Sequence, residues 1–575
     1  MAVEYLAAFQ AQCIVIGSVV SYLCFKRYEP DSPLALVILL VFVPTTLISL
    51  THPWTCLTLR TCLAACLAHT TLVSILTVIY RISPLHPLAR FPGPLPAKVS
   101  KLWMSYICAH GKQHIYYRRL HDQYGDFVRI GPNELSIRNA SAISAILGHD
   151  GLPKGPWWSN RPHAPVLVGL RKHEEHSRRR KAWNRAFTTT AVKGYEEIVV
   201  KRTRQLIERL ENLSLQRDSL KGKSLGAILD LGQWLSYFAT DLMGDMSFGG
   251  GFELMRDGND ARGLWQMLNQ GLEATASLAH APWTFNFIRL MPSIKAVVAR
   301  VQGFADRSVE ARLKMGASRR DIFFYLNDEE HDADRRPSFE ELSSDAMLAI
   351  IAGSDTSATV LTALFWNLVR RPAAYKALQD EIDREFPGGE EPMDAVKLSR
   401  MEWLNACINE AARLHPPVPS GSQRSVMPGM GPVAIGEHII PEGTQVFVHT
   451  YSVHRDARSF SAPDSFLPER WISQATLAED SQILTRFAAH NPAAFHPFSY
   501  GPANCAGKNF AMMEMRTAVC WLVQRLEFQP PDAGKLGPGV NDWEDSLRDF
   551  YVMRKAPLWM RITRRHTGGV SENHT

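Results

Sequence analysis

The first ninety residues constrain the fold most, because three long apolar stretches follow one another there. The stretches cover about residues Leu6–Phe25, Leu34–Leu50 and Cys62–Tyr80 of the 575-residue chain. A helix needs roughly 20 apolar residues to cross about 30 Å of hydrocarbon. The second stretch is short for this and contains Pro44. We predict that residues 1–90 form a membrane anchor of one to three transmembrane helices, any remaining stretch being embedded in the membrane surface.

The charges that flank these stretches predict the orientation of the anchor. A cleavable signal peptide is disfavoured, because Glu4 stands where a basic start is expected. The loop between the second and third stretches has only Arg60, whereas basic residues follow the first and third stretches: Lys26, Arg27, Arg81, Arg90 and Lys98. The positive-inside rule then predicts an N-terminus in the lumen, an endoplasmic reticulum membrane, and a cytosolic chain beyond about residue 81.

Composition excludes several classes of protein. The chain has 63 basic and 57 acidic residues, a net charge of +6 without long basic runs, which does not indicate nucleic-acid binding. It has nine cysteines, an odd number, and they show neither a disulfide pattern nor zinc-site spacing. A reducing compartment is therefore favoured over secretion.

A proline-rich segment, Phe91-Pro-Gly-Pro-Leu-Pro96, follows the apolar region and predicts a stiff connector. We place a domain boundary there. Residues 91–575 show no βαβ alternation and no repeat, which predicts one large domain that is mainly α with small β-sheets. We expect one strand pair near residues 127–137, split by Gly131-Pro132. A second pair is expected between residues 433–440 and 445–449, around the Pro441–Gly443 turn.

Motifs that would indicate other chemistries lack the neighbouring structure or the spacing that they require. The run Gly429-Met-Gly431-Pro432 is followed by a strand-like segment, so it lacks the helix start that a dinucleotide needs. The histidines of His173-Glu-Glu-His176 are three residues apart, whereas a zinc-protease helix needs four. Phosphate-binding and hydrolase motifs are also missing from the sequence.

One cysteine has surroundings with a chemical use. Cys505 lies in Phe498-Ser-Tyr-Gly501-Pro-Ala-Asn-Cys505-Ala-Gly507, just before a helical run. Glycines let backbone N–H groups approach the sulfur, and a helix start favours a thiolate. The segment predicts a reactive or metal-binding thiolate rather than a buried packing residue.

This segment resembles the heme-binding loop of the cytochrome P-450 family, and further motifs of that family occur in its order. They are the hinge Pro92-Gly-Pro94, Tyr124-Gly-Asp-Phe-Val-Arg-Ile-Gly131, Ala352-Gly-Ser-Asp355-Thr356, Glu410-Ala-Ala-Arg413 and Phe466-Leu-Pro-Glu-Arg470-Trp. The resemblance covers about residues 91–565 and implies the cytochrome P-450 fold, preceded here by transmembrane helices.

The resemblance implies roles for the cysteine loop and the long helix before it. Cys505 is then the axial ligand of the iron of heme b, within a loop shaped by Phe498, Gly501 and Gly507, and Phe498 covers the sulfur. Asp355 and Thr356 are the pair that passes protons through water to dioxygen. Gly353 is expected to permit a distortion of their helix.

The resemblance also implies an ion-paired triad and cations for the heme propionates. Glu410, Arg413 and Arg470 form the triad, whose role is structural. The family usually has an arginine two residues before the cysteine, where this chain has Ala503. The predicted propionate partners are His176, which replaces the usual tryptophan, with Arg180 and Arg424. We expect Arg178, Arg179 and Lys181 to form a solvated basic face.

The implied function is a fungal-type, membrane-bound monooxygenase of secondary metabolism or detoxification. It would oxidise a lipophilic terpenoid, fatty acid or polycyclic aromatic with O2. Since no flavin or nicotinamide motif is visible, electrons would come from a membrane-bound NADPH–cytochrome P-450 reductase carrying FAD and FMN, with cytochrome b5 as a further partner. Two alternatives stay open: a heme-thiolate isomerase or dehydratase that does not activate O2, and a non-enzymatic membrane heme protein.

The sequence also offers candidates for the substrate pocket. An apolar pocket that opens toward a bilayer favours a lipophilic substrate. Candidate pocket residues come from the long helix, from the segment after the Glu-x-x-Arg helix and from the loop over residues 155–170: Ala349, Ala352, Gly353, Val418 and Trp157. The aromatic segment around residues 282–292 is a candidate roof or entrance.

Overall fold

The structure of the protein is a computed structural model. It describes residues 2–51, 58–159, 165–221, 226–261, 263–316, 319–330, 336–473, 489–531 and 543–565. Within these ranges the chain is mainly helical with small sheets, which confirms the predicted fold class. Residues 160–164, within the predicted pocket loop, lie outside the described residues.

The three apolar stretches at the N-terminus form helices that are long and apolar enough to cross a membrane. The helices are α1 (Ala2–Tyr28), α2 (Pro33–Val37) and α3 (Val43–Thr51), which are joined by a π-helical turn (Ile38–Phe42), and α4 (Leu59–Ile82). Large apolar side chains on these helices are exposed, among them Ile16, Leu63 and Leu67. Since hydrocarbon is the solvent in which such faces are stable, these helices indicate membrane anchoring.

A polar contact joins the three apolar helices. In the π-helical turn Val43 N–H bonds Ile38 O, so the carbonyl of Leu39 is left without that helical donor. His69 on α4 contacts this carbonyl, with 3.0 Å between Nε2 and Leu39 O. The other ring nitrogen of His69, Nδ1, lies 2.9 Å from Ser18 Oγ on α1. Ser18 and His69 are fully buried, so this contact fixes how the helices meet.

The rest of the chain forms a large, mostly helical domain. Its first helices are α5 (Leu95–Val99), α6 (Leu102–Ala109), α7 (Gln113–Tyr124), α8 (Ala142–Leu147), α9 (His173–Ala186), α10 (Thr189–Gly194), α11 (Glu196–Lys221), α12 (Leu231–Phe248), α13 (Leu254–Asp257), α14 (Leu264–Ala279) and α15 (Phe285–Ile288). The later ones are α16 (Pro292–Met315), α17 (Ile322–Leu326), α18 (Phe339–Arg370), α19 (Pro372–Glu385), α20 (Ala395–Arg400), α21 (Glu402–Leu414), α22 (Thr450–Val453), α23 (Lys508–Arg525) and α24 (Trp543–Ser546).

Small sheets flank these helices. The strands are β1 (Phe127–Gly131), β2 (Glu134–Ile137), β3 (Ala227–Asp230), β4 (Arg424–Ser425), β5 (Val433–Ile435), β6 (His438–Ile440), β7 (Gln445–Val448), β8 (Leu526–Gln529), β9 (Arg548–Phe550), β10 (Val552–Arg554) and β11 (Trp559–Arg564). One sheet has the order β1-β2-β7-β4 and another the order β3-β11-β8, while β5–β6 and β9–β10 are separate hairpins.

The sequence predicted the first strand pair correctly and the second wrongly. Strands β1 and β2 pair antiparallel as expected. Strand β7 does not pair with the 433–440 segment, which instead folds on itself as the β5–β6 hairpin. The reason is burial: Val446, Phe447 and Val448 are buried when β7 runs parallel to β2 and beside β4. An exposed hairpin would have left them in water.

Helix α18 is the centre of the large domain. It begins at Phe339, and the side chain of the preceding Ser338 accepts a hydrogen bond from the N–H of Glu341 as the N-cap. By length and composition α18 could also cross a membrane, but 72% of its most apolar window is buried inside the protein. It packs lengthwise against α12 and is therefore a core helix rather than a fourth span.

Candidate functional site

The Cys505 loop is held in a narrow turn before α23. Gly501 has φ +72°, and a Cβ there would overlap the carbonyl oxygen of Leu147, so only glycine fits. The N–H of Cys505 donates to Phe498 O at 2.9 Å. Gly507 is the N-cap position of α23. These contacts leave the Cys505 side chain exposed at the start of a long helix.

The surroundings of Cys505 have opposite effects on the pKa of its thiol. Burial by the surrounding protein raises the pKa of the thiol, although its own surface is exposed. The Gly507 N–H, Arg180 and Lys508 act in the other direction and lower that pKa. Lys508 also lies over the Phe498 ring, 5.9 Å from its centroid. Backbone amide, helix start and cations are the features that stabilise a thiolate in proteins.

Four basic side chains converge beside this loop: Lys154, His176, Arg180 and Arg424. Arg180 donates to the carbonyl and side-chain oxygens of Asn504 at 2.7 and 2.9 Å. Burial, then Lys154, Arg180 and Arg424, lower the pKa of His176 to about 4. Burial, Arg424 and Arg180 lower the pKa of Lys154 to about 7. No carboxylate is among the main causes of either shift, and the described residues form no ion pair with these four side chains, so this is an uncompensated positive cluster.

Strand pairing holds two members of the cluster together. Lys154 forms a β-bridge with Arg424, supported by Gly155 N–H to Gln423 O at 3.0 Å. Both side chains are buried, and Arg424 Nε has no hydrogen-bond partner among the described residues. Lys154 was missed by the sequence analysis, because it belongs to no motif and approaches Arg424 only through this bridge.

The predicted solvated face on α9 is partly wrong. Arg178 is exposed and pairs with Glu341. Arg179 is buried and forms an ion pair with Asp345, whose carboxylate also accepts from Trp183 Nε1 at 3.2 Å. Successive positions on a helix point in different directions, so the neighbours Arg178 and Arg179 have different surroundings. A charge run therefore does not predict that every member faces solvent.

Asp355 and Thr356 lie near the middle of α18. The Thr356 hydroxyl donates to the carbonyl of Ala352 at 2.7 Å, the ordinary bond of a threonine inside a helix. Asp355 is buried, and its Oδ2 lies 3.8 Å from a guanidinium nitrogen of Arg554 on β10. Arg554 was not identified from sequence, since no motif links the two segments.

The expected distortion at Gly353 does not occur. Helix α18 runs unbroken from Phe339 to Arg370. A Cβ at Gly353 would come within 2.5 Å of Met243 Sδ on α12, so a larger residue there would push the Met243 side chain aside. Gly353 therefore allows α12 and α18 to pack closely and does not open α18.

Glu410, Arg413 and Arg470 meet in a fully buried cluster. Arg413 donates to both carboxylate oxygens of Glu410 at 2.9 and 2.8 Å, and Arg470 Nε donates at 3.0 Å. Trp471 Nε1 and the N–H of Leu467 complete the set, each at 2.9 Å. Burial alone would raise the pKa of Glu410, but Arg413 and Arg470 hold it below its usual range.

Comparison with known proteins identifies the family. The family model for cytochrome P-450 matches residues 90–544. A cytochrome P-450 monooxygenase of Fusarium pseudograminearum, FCK2, is 33% identical over 516 residues, 88% of each chain. The monooxygenase phqL of Penicillium fellutanum is 34% identical, over 84% of this chain and 81% of that one. Tryprostatin B 6-hydroxylase of Neosartorya fischeri is 31% identical, over 84% and 83%.

The chain belongs to the cytochrome P-450 family. Like these relatives it is a monooxygenase, an oxidoreductase, and family membership implies heme. The residues of this P-450 fit that group. An exposed thiol at a helix start can ligate iron, which favours the thiolate over the thiol. The adjacent positive cluster, with the unpaired Arg424 Nε, fits the two carboxylates of a heme.

The predicted pocket residues of this P-450 differ in exposure. On α18 Ala352 is exposed, Gly353 is half-buried and Ala349 is buried. Val418 is half-buried. Trp157 is only 2% exposed, and its ring packs against His280 with centroids 4.5 Å apart. Of the five, Ala352 therefore has the most surface available to a ligand, and Trp157 packs in the core.

Proposed function

We propose that this P-450 is a membrane-anchored heme-thiolate monooxygenase that oxidises a lipophilic small molecule with O2. The observation that carries the proposal is the exposed Cys505 thiol between the start of α23 and the positive cluster. Bound heme b would supply the chemistry of oxygen activation, and the Cys505 thiolate would hold its iron. Lys154, His176, Arg180 and Arg424 would hold the propionates, and Phe498 would shield the sulfur.

Proton delivery is assigned to Asp355 and Thr356. A carboxylate and a hydroxyl on adjacent positions of a core helix can pass a proton through water. The Thr356 hydroxyl donates to Ala352 O. A hydroxyl can rotate, so it can exchange this bond for one to water. The pair also disfavours an isomerase or dehydratase that does not activate O2, because such an enzyme would not need it.

A lipophilic substrate is supported by the surface around the anchor. The α14–α16 connection exposes Trp283, Phe287, Leu290 and Met291. In the same segment Asn286 Nδ2 donates to the carbonyl of Asp31, in the loop after α1, at 3.0 Å. An apolar surface beside membrane helices favours entry of a terpenoid, fatty acid or polycyclic aromatic from the bilayer. Secondary metabolism or detoxification is the proposed setting.

The electron donor is proposed to be an NADPH–cytochrome P-450 reductase that carries FAD and FMN, with cytochrome b5 as a second donor. A groove of about 600 Å³ lies on the face of the Cys505 loop and is lined by Phe498, Lys508, Met512 and Arg516, among others. Its basic side chains are suited to an acidic partner surface. The reductase proposal also requires the large domain to face the cytosol from the endoplasmic reticulum, with the boundary of the anchor at about residue 90.

The test is the spectrum of the reduced, CO-bound protein in expressed membranes. We expect the band of a thiolate-ligated heme in wild type and its loss in Cys505→Ser. Cys520→Ser is the matched control, because Cys520 is a buried packing residue of α23. A panel of terpenoids, fatty acids and polycyclic aromatics is then titrated, and a shifted heme band identifies the substrate class. An unchanged spectrum in Cys505→Ser would refute the assignment.

A further inference from the structure

Arg554 lies between two carboxylates that come from different helices. Its terminal nitrogen is 3.8 Å from Asp355 Oδ2 on α18. On its other side, Arg554 Nε donates to Glu273 Oε1 on α14 at 3.2 Å. The guanidinium carbon also lies 5.8 Å from the centroid of the Trp265 ring, again on α14. One guanidinium group therefore joins the proposed proton-delivery carboxylate to α14.

The backbone that carries Arg554 is well fixed. The preceding residue, Met553, is buried, and its N–H donates to Pro417 O at 2.8 Å. Its carbonyl accepts from the Thr359 hydroxyl on α18 at 3.4 Å. The β9–β10 hairpin is thus bound both to α18, one turn from Asp355, and to the segment that contains Val418. Arg554 can change partner only by moving its side chain.

The two contacts of Arg554 are unequal. The bond to Glu273 has hydrogen-bond length, whereas 3.8 Å to Asp355 is an ion pair without a tight hydrogen bond. The Asp355 carboxylate is therefore oriented by the charge of Arg554 without accepting a tight hydrogen bond from it. Lys555 is a further cation in this region: burial and Arg554 lower its pKa, whereas the charges of Asp355 and of Asp230, at the end of β3, raise it.

We propose that Arg554 is a positioning residue for Asp355, and that Glu273 acts through Arg554 by keeping it from binding Asp355 tightly. This rests on the proposed function, in which Asp355 delivers protons. Without Arg554 the carboxylate is no longer oriented. Without the charge of Glu273, Arg554 moves to Asp355 and immobilises it. Both changes slow proton delivery, and the second requires Arg554 to be present.

The test uses full-length protein in membranes with a NADPH–cytochrome P-450 reductase, O2 and no added substrate. NADPH oxidation and hydrogen peroxide release are measured in H2O and D2O, and heme content is taken from the reduced, CO-bound spectrum. The single variants are Asp355→Asn, Arg554→Gln, Arg554→Lys and Glu273→Gln. A double variant combines Glu273→Gln with Arg554→Gln. Arg548→Gln is the matched control, since Arg548 is the exposed partner of Arg554 across the hairpin.

We expect Arg554→Gln to slow NADPH oxidation about tenfold, within the range of effects that groups in direct contact exert on one another. Its solvent isotope effect and peroxide share should rise while heme content stays normal. Arg554→Lys should restore part of the rate. Glu273→Gln should slow the reaction, and the double variant should match Arg554→Gln alone, because Glu273 acts only through Arg554.

The outcomes separate this inference from the proposed function. If Asp355→Asn is impaired but Arg554→Gln behaves like Arg548→Gln, the inference is wrong and the role of Asp355 stands. If Asp355→Asn itself has the wild-type rate and isotope effect, the proposed proton delivery fails, and the inference with it. If Arg554→Gln loses heme, the proposal is tested with Arg554→Lys and Glu273→Gln instead. A wild-type NADPH oxidation rate and isotope effect in both variants would overturn it.

Discussion

Glu410 keeps its charge in a fully buried position only because two guanidinium groups accompany it. Replacing Arg470 by Ala leaves a buried charge partly unpaired, which costs about 3–5 kcal/mol. We expect this variant to unfold at lower denaturant concentration and to incorporate little heme. Arg384→Ala is the control, because Arg384 pairs with Glu385 at the surface, where an ion pair contributes about 0–1 kcal/mol. Equal losses in both variants would show that the Glu410 cluster is not structural.

A second buried carboxyl has no cation in contact with it within the described part of the chain. Glu514 on α23 is fully buried; it accepts a hydrogen bond from Ser357 at 2.8 Å, and its other oxygen has no partner among the described residues. Burial raises the pKa of Glu514 to about 8. Between the ordinary carboxyl pKa of about 4.3 and this value, the folded state holds a proton that the unfolded state has lost.

Stability should therefore fall as pH rises through this window, since the unfolded state binds fewer protons there. The slope from this group approaches about 1.4 kcal/mol per pH unit. Glu514→Gln stays neutral, so we expect it to reduce the loss of stability between about pH 5 and pH 8. The measurement is the free energy of unfolding at several pH values. Identical pH slopes in wild type and variant would rule out a protonated Glu514.

Among the elements, the anchor shows what one polar side chain contributes to helix packing. His69 bonds α1 through Ser18 and the π-helical turn through Leu39. Hydrogen bonds between membrane helices contribute about 0.6–2 kcal/mol each. His69→Ala should therefore leave insertion intact but loosen the bundle, so that trypsin cleaves faster at Arg60 in detergent. Ser74→Ala is the control, because Ser74 is exposed and its hydroxyl donates within α4, to the carbonyl of Thr70. Equal cleavage rates would argue against a packed anchor.

Elements with a strong local signal were predictable from sequence, and pairings between distant segments were not. The apolar stretches, the α18 run and the β1–β2 turn depend on residues close in sequence, and all three form as predicted. Strand β7 was assigned to the wrong partner, because its neighbours β2 and β4 are chosen by burial across the fold. The same limit applies to the site: Cys505 has a local motif, whereas Lys154 and Arg554 reach it from remote segments.

For the whole molecule, the question is whether the anchor is needed for the large domain to fold. The anchor helices bury little against the rest of the protein, since only 11–17% of their most apolar windows is buried. Polar contacts link the two parts: Arg81 donates to the carbonyl of Val99 at 2.7 Å, and Asn133 donates to Glu29 at 3.0 Å. The buried clusters of the large domain begin at Leu88 and Phe91. A domain with its own core folds without segments that bury little against it.

We therefore expect a chain that starts at Pro87 to keep the reduced, CO-bound spectrum of the full protein. It should still bind phosphatidylcholine vesicles weakly, because Leu290 and Met291 remain exposed beside Trp283 and Phe287. Replacing Leu290 and Met291 by Ser should reduce this residual binding and leave the spectrum unchanged. Co-sedimentation with vesicles measures the binding. A truncated chain that lost heme would mean that the anchor stabilises the catalytic domain, and undiminished binding of the Ser variant would assign membrane contact to another surface.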